Sequence, residues 1–152
     1  MAVLINGRDL TIEEVIRVCR EDEEVELAEE AVAAVNKARA YIEKKLKEKA
    51  VIYGLTTGFG KFSNVVISPE ETEKLQRNLI ISHTCTMGNH YPRHYVRAAM
   101  LLRCNALARG NSGIRLETLQ TLIDMINKGV HPVIPEKGSL GASGDLAPLS
   151  HI

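Results

Sequence analysis

Apolar residues return along most of this chain at helical intervals, with polar residues filling the gaps. Across Val25 to Lys49, Leu27, Ala31, Ala34, Val35, Ala38, Ile42 and Leu46 keep the spacing of one helix face. Glu and Lys occupy the complement, so the segment reads as a long amphipathic helix with a solvated outer face. Ahead of it, Thr11-Ile12-Glu13-Glu14 has the capping-box pattern and opens a helix to Arg20, with Val15, Ile16 and Val18 on or beside one face. Ser68-Pro69-Glu70-Glu71 is a second start signal: Ser68 at the N-cap, Pro69 at the first helical position and Glu71 at the capping-box position. The helix it begins carries Leu75, Leu79 and Ile80 toward His83. A third long helix is expected from Pro92 through Ala108; Val96, Ala99, Met100, Leu102 and Leu107 spread around its circumference and call for burial on more than one side. Gly110-Asn111-Ser112-Gly113 breaks that helix, and Leu116, Leu119, Leu122, Ile123 and Ile126 continue in another that Gly129 closes. The run Val130 to Pro135 is expected to be extended, since each proline disfavours helix in the residue before it. The fold class is therefore mainly α, a helical domain with irregular loops and no internal repeat.

Composition narrows the functional classes. A chain of 152 residues is long enough for one domain with a real core. Nineteen basic and nineteen acidic residues cancel, so neither nucleic acid nor an anionic membrane is indicated as a partner. The start, Met1 to Asp9, has too short an apolar run for a signal peptide, and no segment approaches the length of a membrane span, so a cytoplasmic location is expected. Cys19, Cys85 and Cys104 are odd in number, widely spaced and without a Cys-x-x-Cys pair, which argues against a disulfide framework and a zinc site. They are expected to be buried thiols. His90, His94, His131 and His151 fall in no metal-ligand spacing and are read as background, so no metal is expected.

The chemistry concentrates at Ala142-Ser143-Gly144, inside Gly138 to Leu149. Such a tripeptide can cyclise: the Gly144 nitrogen attacks the Ala142 carbonyl carbon, and two waters leave, one of them taking the Ser143 hydroxyl. The product is a methylidene-imidazolone, electrophilic at the former Ser143 Cβ. Glycine permits the tight turn this requires at little steric cost, and surrounding packing would hold the strain. The same letters also read as a loop handing over to a helix, with Ser143 or Asp145 as N-cap and Pro148 in the first turn. Tyr53 likewise has two readings. It is a half-buried packing residue at a helix-loop junction, or a reactive phenol beside the mobile-looking loop Thr56-Thr57-Gly58-Phe59-Gly60. His83 is either a cap on a helix C-terminus or an imidazole that exchanges a hydrogen bond with a ligand.

At these residues the chain resembles the histidine ammonia-lyase family, within the aromatic amino acid ammonia-lyases. Gly141-Ala142-Ser143-Gly144-Asp145-Leu146-Ala147-Pro148-Leu149 is similar to its prosthetic-group signature. Tyr53-Gly54-Leu55-Thr56-Thr57-Gly58-Phe59-Gly60 resembles its catalytic tyrosine loop, and Leu75 to His83 its substrate-side helix end. The three motifs occur in the family's order. Thr56 differs from the asparagine frequent in histidine enzymes, and Thr84-Cys85-Thr86-Met87 replaces a more usual small-residue segment.

The resemblance implies loss of ammonia from L-histidine to give trans-urocanate, in histidine degradation. It implies the methylidene-imidazolone (MIO) group from Ala142, Ser143 and Gly144, with no metal or diffusible cofactor, and Tyr53 as the base that takes the β-proton. A phenol ordinarily titrates near ~10, so that role requires neighbours that favour the phenolate. It implies Ser82, His83 and Gly60 at the substrate, and Gly54, Gly58 and Asp145 as loop support. Ser82-His83 looks like the histidine-specific pair, whereas tyrosine and phenylalanine enzymes tend to carry His-Leu or Phe-Leu. The resemblance further implies a long-helix-bundle fold assembled as a homotetramer, of which residues 1–152 are the N-terminal portion. On that view these residues alone neither cyclise fully nor turn over histidine. A tyrosine or phenylalanine ammonia-lyase or aminomutase, or an inert helical assembly module, are the alternative readings.

Overall fold

Val3 and Ile5 alternate with exposed Leu4, and this short alternation makes strand β1 (Val3–Ile5). Its partner is β2 (Val25–Leu27), parallel and in the register Val3 with Val25, Leu4 with Glu26 and Ile5 with Leu27. Helical spacing alone places Val25 to Leu27 inside the long helix, and the structure corrects this. The pairing leaves Val25 only 1% exposed, and Asn127 takes both Val25 backbone groups: its Oδ1 accepts from Val25 N and its Nδ2 donates to Val25 O, each at 2.9 Å. Tertiary partners thus override helical spacing at this end, and the helix begins only at Glu29.

The computed structural model describes residues 2–58, 67, 69–138 and 146–152, with Pro69 and Glu70 described by their backbone alone. Between the first two strands lies α1 (Ile12–Arg20), followed after β2 by α2 (Glu29–Lys47). Then come α3 (Pro69–His83), β3 (Met87–His90), α4 (Arg93–Ala108), α5 (Leu116–Asn127), β4 (Pro135–Lys137) and α6 (Leu146–Leu149). The fold is mainly α, with β1 and β2 in one small sheet and β3 beside β4 in another. No helix among the described residues is long and apolar enough to cross a membrane.

Local signals account for several helix ends. Thr11 forms the capping box: Glu14 N donates to Thr11 Oγ1 at 3.3 Å, and Thr11 N donates to Glu14 Oε2 at 2.8 Å. Those bonds hold the Glu14 carboxyl below its ordinary value, the backbone bond most. Pro92 stands at the N-cap of α4, one position earlier than its expected place. Gly129, at φ 69°, closes α5 by donating from its N to Ile126 O. Ser68, the expected N-cap of α3, lies outside the described residues.

The chain divides into two compact units. One comprises Met1–Ile42, His90–Ile134 and Ile152; the other comprises Glu43–Asn89 and Pro135–His151. The first unit holds the hydrophobic core, in which Val3, Ile5, Val18, Val25, Val35, Met100, Leu101, Leu119, Ile123 and Ile126 are buried together. Helix α4 supplies most of its centre, although Leu102 faces outward at 52% exposure. Arg97 sits in this core at 2% exposure. It donates from Nη2 to Val18 O at 2.8 Å and from Nη1 to Ile126 O at 2.7 Å, so one guanidinium satisfies end carbonyls of α1 and α5. Cys19 and Cys104 are buried as expected, and burial pushes the Cys104 thiol up to about 12. Cys85, in the second unit, is exposed, which corrects the reading of all three as buried; it follows the end of α3, where its Sγ lies 3.9 Å from Ser82 O and 3.7 Å from His83 O among polar groups.

Candidate functional site

Every described residue singled out for chemistry falls in the second unit. Its first component is the turn after α2. Lys49 takes a positive φ of 53°, ending the helix, and Leu55 N and Thr56 N both donate to Ile52 O, at 3.1 and 3.0 Å. The Thr56 hydroxyl accepts from Ile52 N at 2.8 Å and donates to Ala50 O at 3.0 Å. Gly54, at φ 70°, donates from its N to Thr57 Oγ1 at 3.3 Å, and the Thr57 hydroxyl donates to Gly58 O at 3.0 Å. Thr57 is 2% exposed, whereas Tyr53 is 63% exposed. The two threonines therefore pin the backbone from 50 to 58 and leave the phenol on the outside of the turn. Gly54 and Gly58 both bond to Thr57; Gly60 lies outside the described residues. Sequence reasoning passes over Thr56 and Thr57 as structural determinants, and the adjacent hydroxyls before a glycine are the signal it could use.

The second component is the end of α3. Thr72, Leu75, Leu79 and His83 recur at helical spacing as its half-buried stripe, while Ile80 and Ile81 are exposed. The Leu79 carbonyl, one turn before the end of α3, is the point on which the His83 and Ser82 side chains converge. The His83 Nδ1 lies 2.7 Å from Leu79 O and 3.1 Å from Ser82 Oγ. A carbonyl oxygen can only accept, so the hydrogen resides on Nδ1, and the neutral ring then carries its lone pair on Nε2. The Ser82 hydroxyl donates to the same Leu79 oxygen at 2.8 Å. Capping and ligand recognition are thus compatible: the cap selects which ring nitrogen remains an acceptor.

The third component, Ala142-Ser143-Gly144 with Asp145, lies outside the described residues, but both of its flanks are described. On one side are β4 and Gly138. On the other is α6, where Ala147 is buried and Ser150 Oγ donates to Ala147 O at 2.6 Å. The expected helix after Asp145 is therefore present, at four residues. A Cβ built on Gly138 would meet Thr86 Cγ2 at 2.8 Å and Cys85 O at 3.1 Å, so the backbone passes too close to Thr86 for any side chain. Thr86 Oγ1 also lies 2.8 Å from His151 Nε2. In the sequence Thr86 stands out only as a departure from a pattern and His151 as background; a contact between residues 65 apart leaves no local signal. Of the other background histidines, His94 stacks on Tyr95 at 4.6 Å and His131 Nδ1 donates to Gly129 O at 2.9 Å. Among the described residues no group of three or more His, Cys, Asp or Glu could hold a metal ion.

The chain as a whole has known relatives. Residues 10–152 match the model of the family described as aromatic amino acid lyase. The histidine ammonia-lyase of Alkaliphilus oremlandii is 61% identical over 150 residues, which cover 99% of this chain and 30% of that protein. The chain thus spans less than a third of the length of that relative. Among solved structures, histidine ammonia-lyase from Trypanosoma cruzi is 40% identical with a TM-score of 0.88, covering 99% of this chain and 28% of that one. The ergothioneine-degrading ergothionase from Treponema denticola is 33% identical with a TM-score of 0.92, covering 99% and 30%.

Proposed function

Because this chain belongs to the aromatic amino acid lyase family, we propose that it forms part of a histidine ammonia-lyase, a carbon-nitrogen lyase that converts L-histidine to trans-urocanate and ammonia in histidine degradation. The observation that carries the choice of substrate is the end of α3. His83 donates from Nδ1 to Leu79 O, so its Nε2 is an acceptor. An acceptor nitrogen can take the N–H of a substrate imidazole, whereas a phenyl ring offers nothing to it. Ser82 holds the same geometry from the neighbouring position.

In this reading Ala142, Ser143 and Gly144 give the MIO group, whose electrophilic carbon captures the substrate amine. The described residues on either side of the tripeptide are Gly138, packed against Thr86, and the short helix that begins at Leu146. Tyr53 accepts the β-proton; the residue is exposed on a hydrogen-bonded turn whose backbone Thr56 and Thr57 restrain. Gly60 joins Ser82 and His83 at the substrate, Gly54, Gly58 and Asp145 support the loops, and neither a metal nor a diffusible cofactor takes part. The assembly is a cytoplasmic homotetramer.

The test uses the protein expressed from its complete reading frame. Incubation with histidine, tyrosine and phenylalanine, followed by product absorbance, should give product from histidine alone. Intact mass should fall short of the translated sequence by two waters, and Ser143→Ala should abolish both the deficit and the activity. Full activity in Ser143→Ala, or turnover of tyrosine in preference to histidine, would overturn the assignment.

A further inference from the structure

Tyr53 stands between two peptide planes, and each is held by hydrogen bonds. The plane before it carries the Ile52 carbonyl, which accepts from Leu55 N at 3.1 Å and from Thr56 N at 3.0 Å. The plane after it carries the Gly54 N–H, which donates to Thr57 Oγ1 at 3.3 Å. Main-chain donors thus hold the first plane, whereas a side-chain hydroxyl holds the second. Gly54 takes a φ of 70°, so the chain turns back directly after the tyrosine and brings that N–H to Thr57. The hydroxyl is fixed in its turn. It gives its one hydrogen to Gly58 O at 3.0 Å, which leaves its lone pairs for Gly54, and at 2% exposure Thr57 is out of reach of bulk water.

We propose that Thr57 is a positioning residue for the Tyr53 phenol, acting through the peptide plane that follows the tyrosine. The proposal rests on the reading of Tyr53 as the base that takes the β-proton. A general base must stand within hydrogen-bond reach of the proton it removes, and the backbone that carries it sets that reach. The phenol oxygen is the far end of the side chain from the two planes. A small rotation of either plane therefore moves the oxygen more than it moves the backbone, and a displacement of about 1 Å can cost up to about a hundredfold in rate. Threonine suits the position because its β-branched side chain is stiff at χ1, which keeps the hydroxyl against Gly54. Thr56 serves the same turn from further off. Its hydroxyl accepts from Ile52 N at 2.8 Å and donates to Ala50 O at 3.0 Å, and it reaches the plane before Tyr53 only at 3.4 Å, at an Ile52 oxygen that already has two main-chain donors. Of the two adjacent hydroxyls, the Thr57 hydroxyl is the one whose bond defines a plane next to the base.

The variants are made in the protein expressed from its complete reading frame and assayed with histidine, with far-UV circular dichroism to verify folding. Thr57→Val keeps the shape and removes the hydroxyl. It should lower kcat about tenfold, the loss expected for one hydrogen bond, while KM stays within about twofold of the parent. Thr57→Ser should restore most of kcat. If Thr57→Val does not fold, comparing Thr57→Ala with Thr57→Ser isolates the same hydroxyl, since both lack the methyl. Added to Tyr53→Phe, Thr57→Val should cost no further activity, because the group it positions is already gone; a residue that merely stabilised the turn would cost about as much again. A parent-like kcat in the folded variant lacking the hydroxyl, a loss carried by KM, or an equal further loss on Tyr53→Phe refutes the positioning role and leaves Tyr53 standing as the base. Full activity in Tyr53→Phe overturns the reading of Tyr53 itself, and this proposal falls with it.

Discussion

Replacing Arg97 by methionine tests how the first unit is held together. The side chain is 2% exposed and donates to the Val18 and Ile126 carbonyls, at 2.8 and 2.7 Å, with a third contact from Nη2 to Asp22 Oδ1 at 3.2 Å. Methionine fills much of the same volume and offers no donor, so the Val18 carbonyl loses its side-chain donor at about 1–3 kcal/mol. The Ile126 carbonyl keeps Gly129 N at 3.1 Å and loses only the value of one further bond, about 1 kcal/mol. Part of that loss is offset because no guanidinium has to be desolvated. Asp22 is 56% exposed and keeps Arg93 at 2.6 Å, so the net cost is about 2 kcal/mol. For a small protein whose stability falls by about 1–3 kcal/mol per molar urea, the midpoint should drop by at least about 0.7 M, with the slope unchanged. Far-UV circular dichroism during urea unfolding reads it directly. Arg97→Lys should fall between, since one ammonium cannot reach both helix ends as a planar fork does. Asp22→Asn should move the midpoint far less, because it leaves both carbonyls satisfied. A midpoint for Arg97→Met within about 0.3 M of the parent would refute the account and show that water or a shifted helix end replaces the arginine.

Two further outcomes follow from backbone geometry and from thiol burial. Gly110 has φ 71°, and an added Cβ would lie 2.6 Å from the carbonyl carbon and oxygen of Ala34. Gly110→Ala should therefore lower the thermal midpoint by at least about 5 °C, combining left-handed strain with a backbone clash, and an unchanged midpoint would mean that α2 yields without cost. Cys104 is raised from its ordinary 9.0 to about 12 by burial, so its neutral thiol adds stability that is fully present below pH 9 and is lost as pH rises toward about 12. An alkaline titration by circular dichroism should show this loss in the parent and a shallower one in Cys104→Ala, and a thiol reagent at neutral pH should modify exposed Cys85 well before Cys19 and Cys104.

The parts of this fold legible in the sequence are those whose cause is local. The Thr11 capping box, the proline before α4 and Gly129 after α5 each act within one turn, and the helices start or stop within a residue or two of those signals. Val25 to Leu27 mislead because three residues of alternation are too few to distinguish from one edge of a helix, and their partners Val3 to Ile5 and Asn127 lie far away in the chain. Arg97 reads as a surface charge in any periodicity. Only the convergence of two helix C-termini on one point makes it a core residue.

The candidate site divides along the same line. Tyr53, Ser82 and His83 are legible through resemblance, and their neighbours Thr56, Thr57 and the Leu79 carbonyl are not, although they sit within four residues. Residue identity announces which group is chemically able to act; the state in which it is presented depends on which backbone group it contacts. His83 illustrates the point. Had its Nδ1 not been 2.7 Å from a helix-end carbonyl, either ring nitrogen could have carried the hydrogen, and the same sequence would present a donor as readily as an acceptor to an imidazole ligand. Which ring nitrogen such a position presents is therefore a property of the helix end as much as of the histidine. Swapping the residue pair at 82 and 83 without preserving the terminal turn of α3 would change the ring and lose the orientation together.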